Sequence, residues 1–395
     1  MEPVTAAMVL ESLRTGTVPL DYVEHFNVGR QVELAQAIDG INAAEGGRAR
    51  IAFVNGPYGS GKTHFLGLIR SEGFRRNFAV THVVLSSASC PLDRLEMVFG
   101  ALMGNLRTPE CRDTSAFRSV LDEYIKMVEC DLIKTGVANK PCRHPAVGSY
   151  LTCGHGCFAE LLIKRLAKEG TLTTDFLIVL SSYFNASRSN DQERMRLCER
   201  WLLGQTLSAR KRTNICRLAP PHTRLDNISN ESALKAFSDA ARFLRTVGYR
   251  GLIIMLDEAE IMPSAGRAGR DSSFFNLFSL IRSCQDWQNI FCVYATTPYF
   301  DHVFRTYIGQ YRIPSSFEDK YQEHQIRLST PDGGTLTKLA SKIYGIYETA
   351  YGSQCLPGRS WLESESKELL GGISESDSTR DFVTRIIGRM DSARR

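Results

Sequence analysis

Residues 51–70 read IAFVNGPYGSGKTHFLGLIR, and the fold follows from this stretch. Within it, Gly56-Pro57-Tyr58-Gly59-Ser60-Gly61-Lys62-Thr63 satisfies G-x-x-x-x-G-K-[ST]. The apolar run at 51–54 reads as a strand, and Phe65, Leu66, Leu68 and Ile69 recur with the period of a buried helix face. Strand, glycine loop and helix in that order are the context a phosphate-binding loop needs. Glycines permit positive φ, so successive backbone N–H groups turn into one concavity, and the helix opening at Lys62 adds the positive end of its dipole. Lys62 is expected at the β- and γ-phosphates of ATP, with the Thr63 hydroxyl on Mg2+.

A second stretch, GLIIMLDEAE at 251–260, is a nearly all-apolar strand of the buried parallel kind that ends in two acids. Ligands of open α/β sheets sit beyond the carboxyl ends of the strands. Asp257 is therefore expected to ligate Mg2+ and Glu258 to act as the general base on the attacking water. Taken alone, Glu258 also suits the N-cap of a following helix. A third strand, IFCVYATTPYF at 290–300, exits through Thr296 and Thr297. ATPases of the AAA+ type place a polar residue at this strand tip, against the water and γ-phosphate. That likeness assigns a sensor role to Thr296 or Thr297, with Thr297 taken for the site; a plain turn is the alternative.

The chain has 395 residues, 43% hydrophobic and 23% charged, values ordinary for a globular protein of two or three domains. No apolar run approaches the ~18–20 residues of a membrane span. The start, MEPVTAAMVLESLRTG, lacks a basic segment and an apolar core, and no membrane association is expected. Eleven cysteines without an export signal predict reduced thiols and a cytoplasmic location. Cys142, His144, Cys153, His155 and Cys157 offer five soft ligands in one short stretch, but the spacing matches no common zinc knuckle. Free thiols are the expectation there, and Mg2+ is the metal expected.

Alternating strands and helices predict an α/β P-loop NTPase, AAA+-like, with a parallel sheet flanked by helices. Helices are expected at 4–14, 29–41 and 272–284, and strands at 79–85 and 325–328. Residues 266–270 read as a glycine-arginine loop. Residues 1–45 form an N-terminal helical extension and 46–330 the ATPase core. A largely helical insertion at about 90–250 accounts for the long gap between Lys62 and Asp257. Residues 331–395, with helices at 336–351, 360–370 and 379–390, form a C-terminal helical lid. An AAA+ lid offers an arginine to the phosphates; Arg380 is placed for that role, or for an ion pair with Asp377 or Glu375. AAA+ sites also borrow an arginine from a neighbouring subunit. Arg305 and Arg312 lie in the region for it, Arg312 being favoured, and a homo-oligomer follows from that reading.

The chain resembles the BREX-system ATP-binding domain family, the BrxC/BrxD-type ATPases of bacterial phage defence. The resemblance runs nearly end to end: LESLRTGTVP at 10–19, FNVGR at 26–30, VNGPYGSGKTHFL at 54–66, PLDR at 91–94, RWLLGQ at 200–205, GYRGLIIMLDEAE at 248–260, KIYGIYETAYG at 342–352 and STRDFVTRIIGRMD at 378–391. Tyr58 and His64 are family-like beyond the minimal motif, which extends the expected nucleotide-binding set to His64. The resemblance implies an AAA+-like ATPase that works with other proteins of a defence locus on DNA.

Charge offers a separate hint. The chain carries a net +5, while nine Lys/Arg against three Asp/Glu between 188 and 224 give that stretch 9 − 3 = +6. Arg188, Arg194, Arg196, Arg200, Arg210, Lys211, Arg212, Arg217 and Arg224 make it a candidate contact for DNA phosphates, against a solvated or protein-docking face. Three functions compete on sequence: a hydrolysing ATPase, a nucleotide-gated switch or scaffold with slow turnover, and a P-loop phosphotransferase.

Overall fold

The computed structural model describes residues 1–134, 172–218, 223–259, 266–311, 313–314, 316–352, 356–372 and 378–394. Among these residues, six strands are ordered β3-β2-β4-β5-β1-β6 in one sheet. They are β1 (Arg50–Asn55), β2 (Ala79–Val84), β3 (Leu106–Arg107), β4 (Leu252–Asp257), β5 (Ile290–Thr296) and β6 (Gln325–Arg327). Every residue of β4 and of β5 is buried, which explains why neither alternates in sequence. β1 runs parallel to β6, with Val54 opposite Ile326. β2 runs parallel to β4, with Val84 opposite Asp257.

The expected all-parallel sheet is corrected at its edge. β3 lies antiparallel on β2 through Val80–Arg107 and Thr81–Leu106. Two residues are too few to show a period in sequence, and an antiparallel edge strand on an otherwise parallel sheet is common because it covers unpaired backbone groups. Among the described residues between 90 and 250, helices and one strand, β3, are present.

Residues 1–39, 52–72 and 294–395 form one compact unit, and 40–51 with 73–293 form a second. The first unit holds the glycine loop at 56–63. Its helix α1 (Pro3–Arg14) packs on α14 (Gly333–Tyr351) and α16 (Thr379–Ala393). The Arg14 guanidinium grips both oxygens of Asp391 at 2.8 and 2.9 Å, and Tyr347 Oη donates to Asp391 at 2.9 Å. A short helix not anticipated from sequence, α2 (Val23–Phe26), precedes α3 (Gln31–Glu45). The core under β1 is aromatic: Phe53 meets Tyr321 at 4.7 Å between ring centroids and Tyr294 at 5.8 Å. Tyr321 sits on α13 (Ser316–Glu323), which follows α12 (Pro298–Gln310); sequence periodicity revealed neither helix. α15 (Arg359–Gly371) completes the helices that follow β6.

The second unit includes the described residues between 90 and 250. Its described helices are α5 (Leu95–Gly104), α6 (Phe117–Lys134), α7 (Thr174–Arg188), α8 (Gln192–Leu202), α9 (Ala209–Ile215) and α10 (Asn230–Val247). α10 starts in a capping box between Ser229 and Ser232 and stops at Gly248, whose φ of 119° is left-handed. Its buried face brings Phe237 against Phe99 and Trp287, and Phe243 against Tyr124. The loop expected at 266–270 is instead the first turn of α11 (Arg267–Ser283), with Gly266 as its N-cap. Arg and Ala favour helix, and one interior glycine costs only about 1 kcal/mol. All described cysteines are free thiols. Cys292, in the middle of β5, is fully buried, and that burial pushes its thiol up to about 12. No helix among the described residues is long and apolar enough to cross a membrane.

Candidate functional site

The glycine loop joins β1 to α4 (Lys62–Arg75), inside the first unit. Gly56 N donates to Thr296 O at 3.2 Å, which ties the loop's entrance to the tip of β5. A side chain on Gly56 would collide with Ser60 Oγ and meet Leu328 at 3.0 Å. Gly59 and Gly61 hold φ of 78° and 87°, so the loop curls as the sequence requires. A Cβ at Gly59 would lie 2.6 Å from Cβ of Ser378, which opens α16 through a capping box with Asp381. Lys62 Nζ donates to Gly56 O at 3.0 Å and Pro57 O at 3.4 Å, so the ammonium spans the loop. Thr63 is half-buried and Tyr58 is exposed.

Two hydroxyls test the loop as a phosphate cradle. Ser60 Oγ and Thr296 Oγ1 are buried and have no hydrogen-bond partner. A buried donor without an acceptor calls for an explanation, and phosphate oxygens or their water would supply the missing acceptors. The residues therefore fit a nucleotide. Of the two threonines, Thr296 is fully buried, whereas Thr297 is half-buried at the N-cap of α12 and its side chain makes no capping bond.

Around the loop stand residues whose roles sequence did not assign. Arg30 Nη2 donates to Ser60 O at 2.8 Å and Ser329 O at 2.6 Å. Asp301, on α12, accepts from Asn55 Nδ2 at 2.7 Å and from Tyr321 Oη; this holds the last residue of β1. His64 packs on α2, with Nε2 3.4 Å from Val23 O and its ring 5.3 Å from Phe26. Desolvation lowers His64 to about 4, with Arg30 and Lys342 adding to the fall, so its imidazole is neutral at pH 7. Only the Gly-Arg pair of FNVGR was a visible sign of Arg30; nothing local marked Asp301.

In the second unit, Asp257 ends β4 buried, and its Oδ1 accepts from Glu258 N at 2.9 Å. His82 Nε2 lies 3.5 Å from Asp257 Oδ2. Glu258 is exposed and left-handed, at φ 53°. A non-glycine residue held there is uncommon outside turns and functional sites. The carboxylate of Asp257 is a hard oxygen donor of the type Mg2+ takes.

Other expected residues fall elsewhere. Arg380 is exposed, its Cδ 3.0 Å from where a Cβ on Gly16 would stand. Arg305 Nε pairs with Glu318 at 3.1 Å. Arg312 lies outside the described residues, as do Asp377, Glu375 and the Cys142–Cys157 cluster. The basic stretch is only partly a surface. Arg188, Arg196, Arg210, Lys211, Arg217 and Arg224 are exposed. Arg194 is buried, 3.4 Å from Asp191, and Arg200 donates to Gln205 at 2.8 Å. Arg212 donates to Leu225 O at 2.7 Å and Leu207 O at 2.6 Å, so it staples the backbone.

The family model described as "BREX system ATP-binding protein BrxC/D" matches residues 1–394. No curated protein matches the chain, and no solved structure does.

Proposed function

The chain belongs to the BREX system ATP-binding protein family, whose role is ATP binding in a phage-defence locus with other proteins, and on that premise we propose that it is an Mg2+-dependent ATPase of the AAA+-like P-loop class. The observation that carries the reading is the loop itself. Positive-φ Gly59 and Gly61, the Lys62 ammonium across the loop, and the orphaned hydroxyls of Ser60 and Thr296 form a set of donors in search of an anion. Gly56 to Thr63 hold the phosphates. Thr63 and Asp257 would hold Mg2+, which would supply charge neutralisation on the phosphate oxygens. Glu258 takes a proton from the attacking water, and Thr296 or Thr297 orients that water.

In this reading 46–330 is the catalytic core and 331–395 the lid. The protein works in the cytoplasm with the other defence proteins of its locus. It reaches DNA through the exposed cations between Arg188 and Arg224, and a neighbouring subunit lends Arg312. A nucleotide-gated switch with slow turnover is the second reading. The close approach of Ser378 to Gly59 favours it, because it puts the N-terminus of α16 against the loop.

Steady-state turnover and equilibrium ATP binding test the assignment together. Lys62→Ala is expected to abolish tight binding. Glu258→Gln is expected to bind ATP like the wild type and to lose turnover by a factor of about 100 or more, since an amide cannot serve as the base. Wild-type turnover in Glu258→Gln would remove Glu258 from the mechanism. Binding with negligible turnover in the wild type would leave the switch.

A further inference from the structure

Arg30 is built into the loop in a way that its position in the chain, 30 residues before Ser60, does not suggest. The turn Gly29-Arg30 holds two consecutive positive φ angles, 75° and 71°, and sends the chain into α3. The side chain is 12% exposed, and its Nη1 is held by Glu33 Oε1 at 2.9 Å. That leaves Nη2 to donate to two backbone carbonyls, Ser60 O at 2.8 Å and Ser329 O at 2.6 Å. The first is in the P-loop and the second is just beyond β6.

The consequence lies in the Ser60–Gly61 peptide. No described peptide bond is cis, and in a trans peptide the C=O and N–H point in opposite directions. A carbonyl fixed on Arg30 therefore directs the Gly61 N–H away from Arg30. Gly61 at φ 87° cannot fix that orientation alone, because glycine accepts both signs of φ at little cost. The plane needs an outside anchor, and Arg30 is the side chain on its carbonyl.

We infer that Arg30 is a positioning residue for nucleotide binding: by holding Ser60 O and Ser329 O on one nitrogen, it presents the Gly61 N–H to a phosphate. The inference rests on the ATP-binding reading above. A guanidinium this close also adds positive potential to the loop without touching the ligand.

The test is titration of Mg2+ and a fluorescent N-methylanthraniloyl-ATP into the full chain, with urea unfolding midpoints measured alongside. Arg30→Met keeps the aliphatic stem and removes the donors; its Kd is expected to rise about tenfold or more. Arg30→Lys restores an ammonium able to serve both carbonyls and is expected to recover most of that loss. Arg70→Met breaks the 2.8 Å pair that joins α4 to Asp21 of the N-terminal segment and leaves the Ser60 carbonyl alone. It is expected to lower the midpoint and leave Kd unchanged. Arg30→Met within twofold of wild type, or Arg70→Met weakened as much, would overturn the inference. If Arg30→Met does not fold, Glu33→Ala carries the test: removing the acceptor of Nη1 is expected to raise Kd about threefold, and no change counts against Arg30. A wild type that binds no ATP would instead defeat the ATP-binding reading itself.

Discussion

At the scale of single residues, His64 shows how the first turn of α4 is bought with burial. Its ring lies against Phe26 and under the carbonyl of Val23, and desolvation holds it near 4. An unfolded histidine titrates near 6.5. Between those values the unfolded state binds more protons, so stability is full above about pH 6.5 and falls as pH drops towards 4, by up to about 1.4 kcal/mol per unit. Urea midpoints at pH 7, 6 and 5 should show this slope, and His64→Gln should flatten it. The lowered carboxyls of Asp381 and Asp391 act in a separate range, below their usual pKa of 3.8. A slope unchanged by His64→Gln would place the titrating group elsewhere.

At the scale of elements, α9 and the loop after it change the meaning of the basic stretch. Arg212 ties Leu207 to Leu225, Asn227 accepts from Leu207 N at 2.9 Å, and Trp201 Nε1 donates to Asp226 O at 2.8 Å. Arg212→Ala should therefore cost about 2 kcal/mol or more of stability, read from a denaturant curve, because two carbonyls lose a charged donor. Arg210 and Lys211 are exposed, and replacing both with Ala should leave that curve in place. If they contact DNA phosphates, the same double variant lowers the slope of log K against log salt by roughly 1.5 to 2. An unchanged slope would mark α9 as a solvated or protein-docking surface. Sequence could not separate these arginines, since Arg212's acceptors are set by the path of a loop. Where the signal was local it was legible: the glycine loop at 56–63 with its flanking strand and helix, β4 and β5, and the three helices after β6. β3 is too short for a period, and α12 and α13 mix aromatic and polar residues without a clean stripe. The contacts of Arg30 with Ser60 and Ser329 span 30 and 299 residues, beyond any pattern a single sequence displays.

At the scale of the whole molecule, assembly and opening are the remaining questions. If Arg312 acts on a neighbour's nucleotide, mixing Arg312→Ala with Lys62→Ala should restore part of the turnover that each lacks alone. Turnover per molecule that is independent of protein concentration, with a monomer in the presence of ATP, would rule that out. Arg305 is the weaker candidate, because Glu318 already holds it. The burial of Cys292 bears on how the sheet opens. A thiol with its pKa near 12 in the centre of a fully buried strand cannot meet an alkylating reagent unless β5 is exposed. Its labelling rate is therefore a clock for rare excursions of the sheet under native conditions. Exposed Cys130 labels at once and supplies the zero of that clock. Any ligand that binds only the closed form should slow the late thiol by the factor 1 + [L]/Kd, giving an affinity without any measurement of turnover.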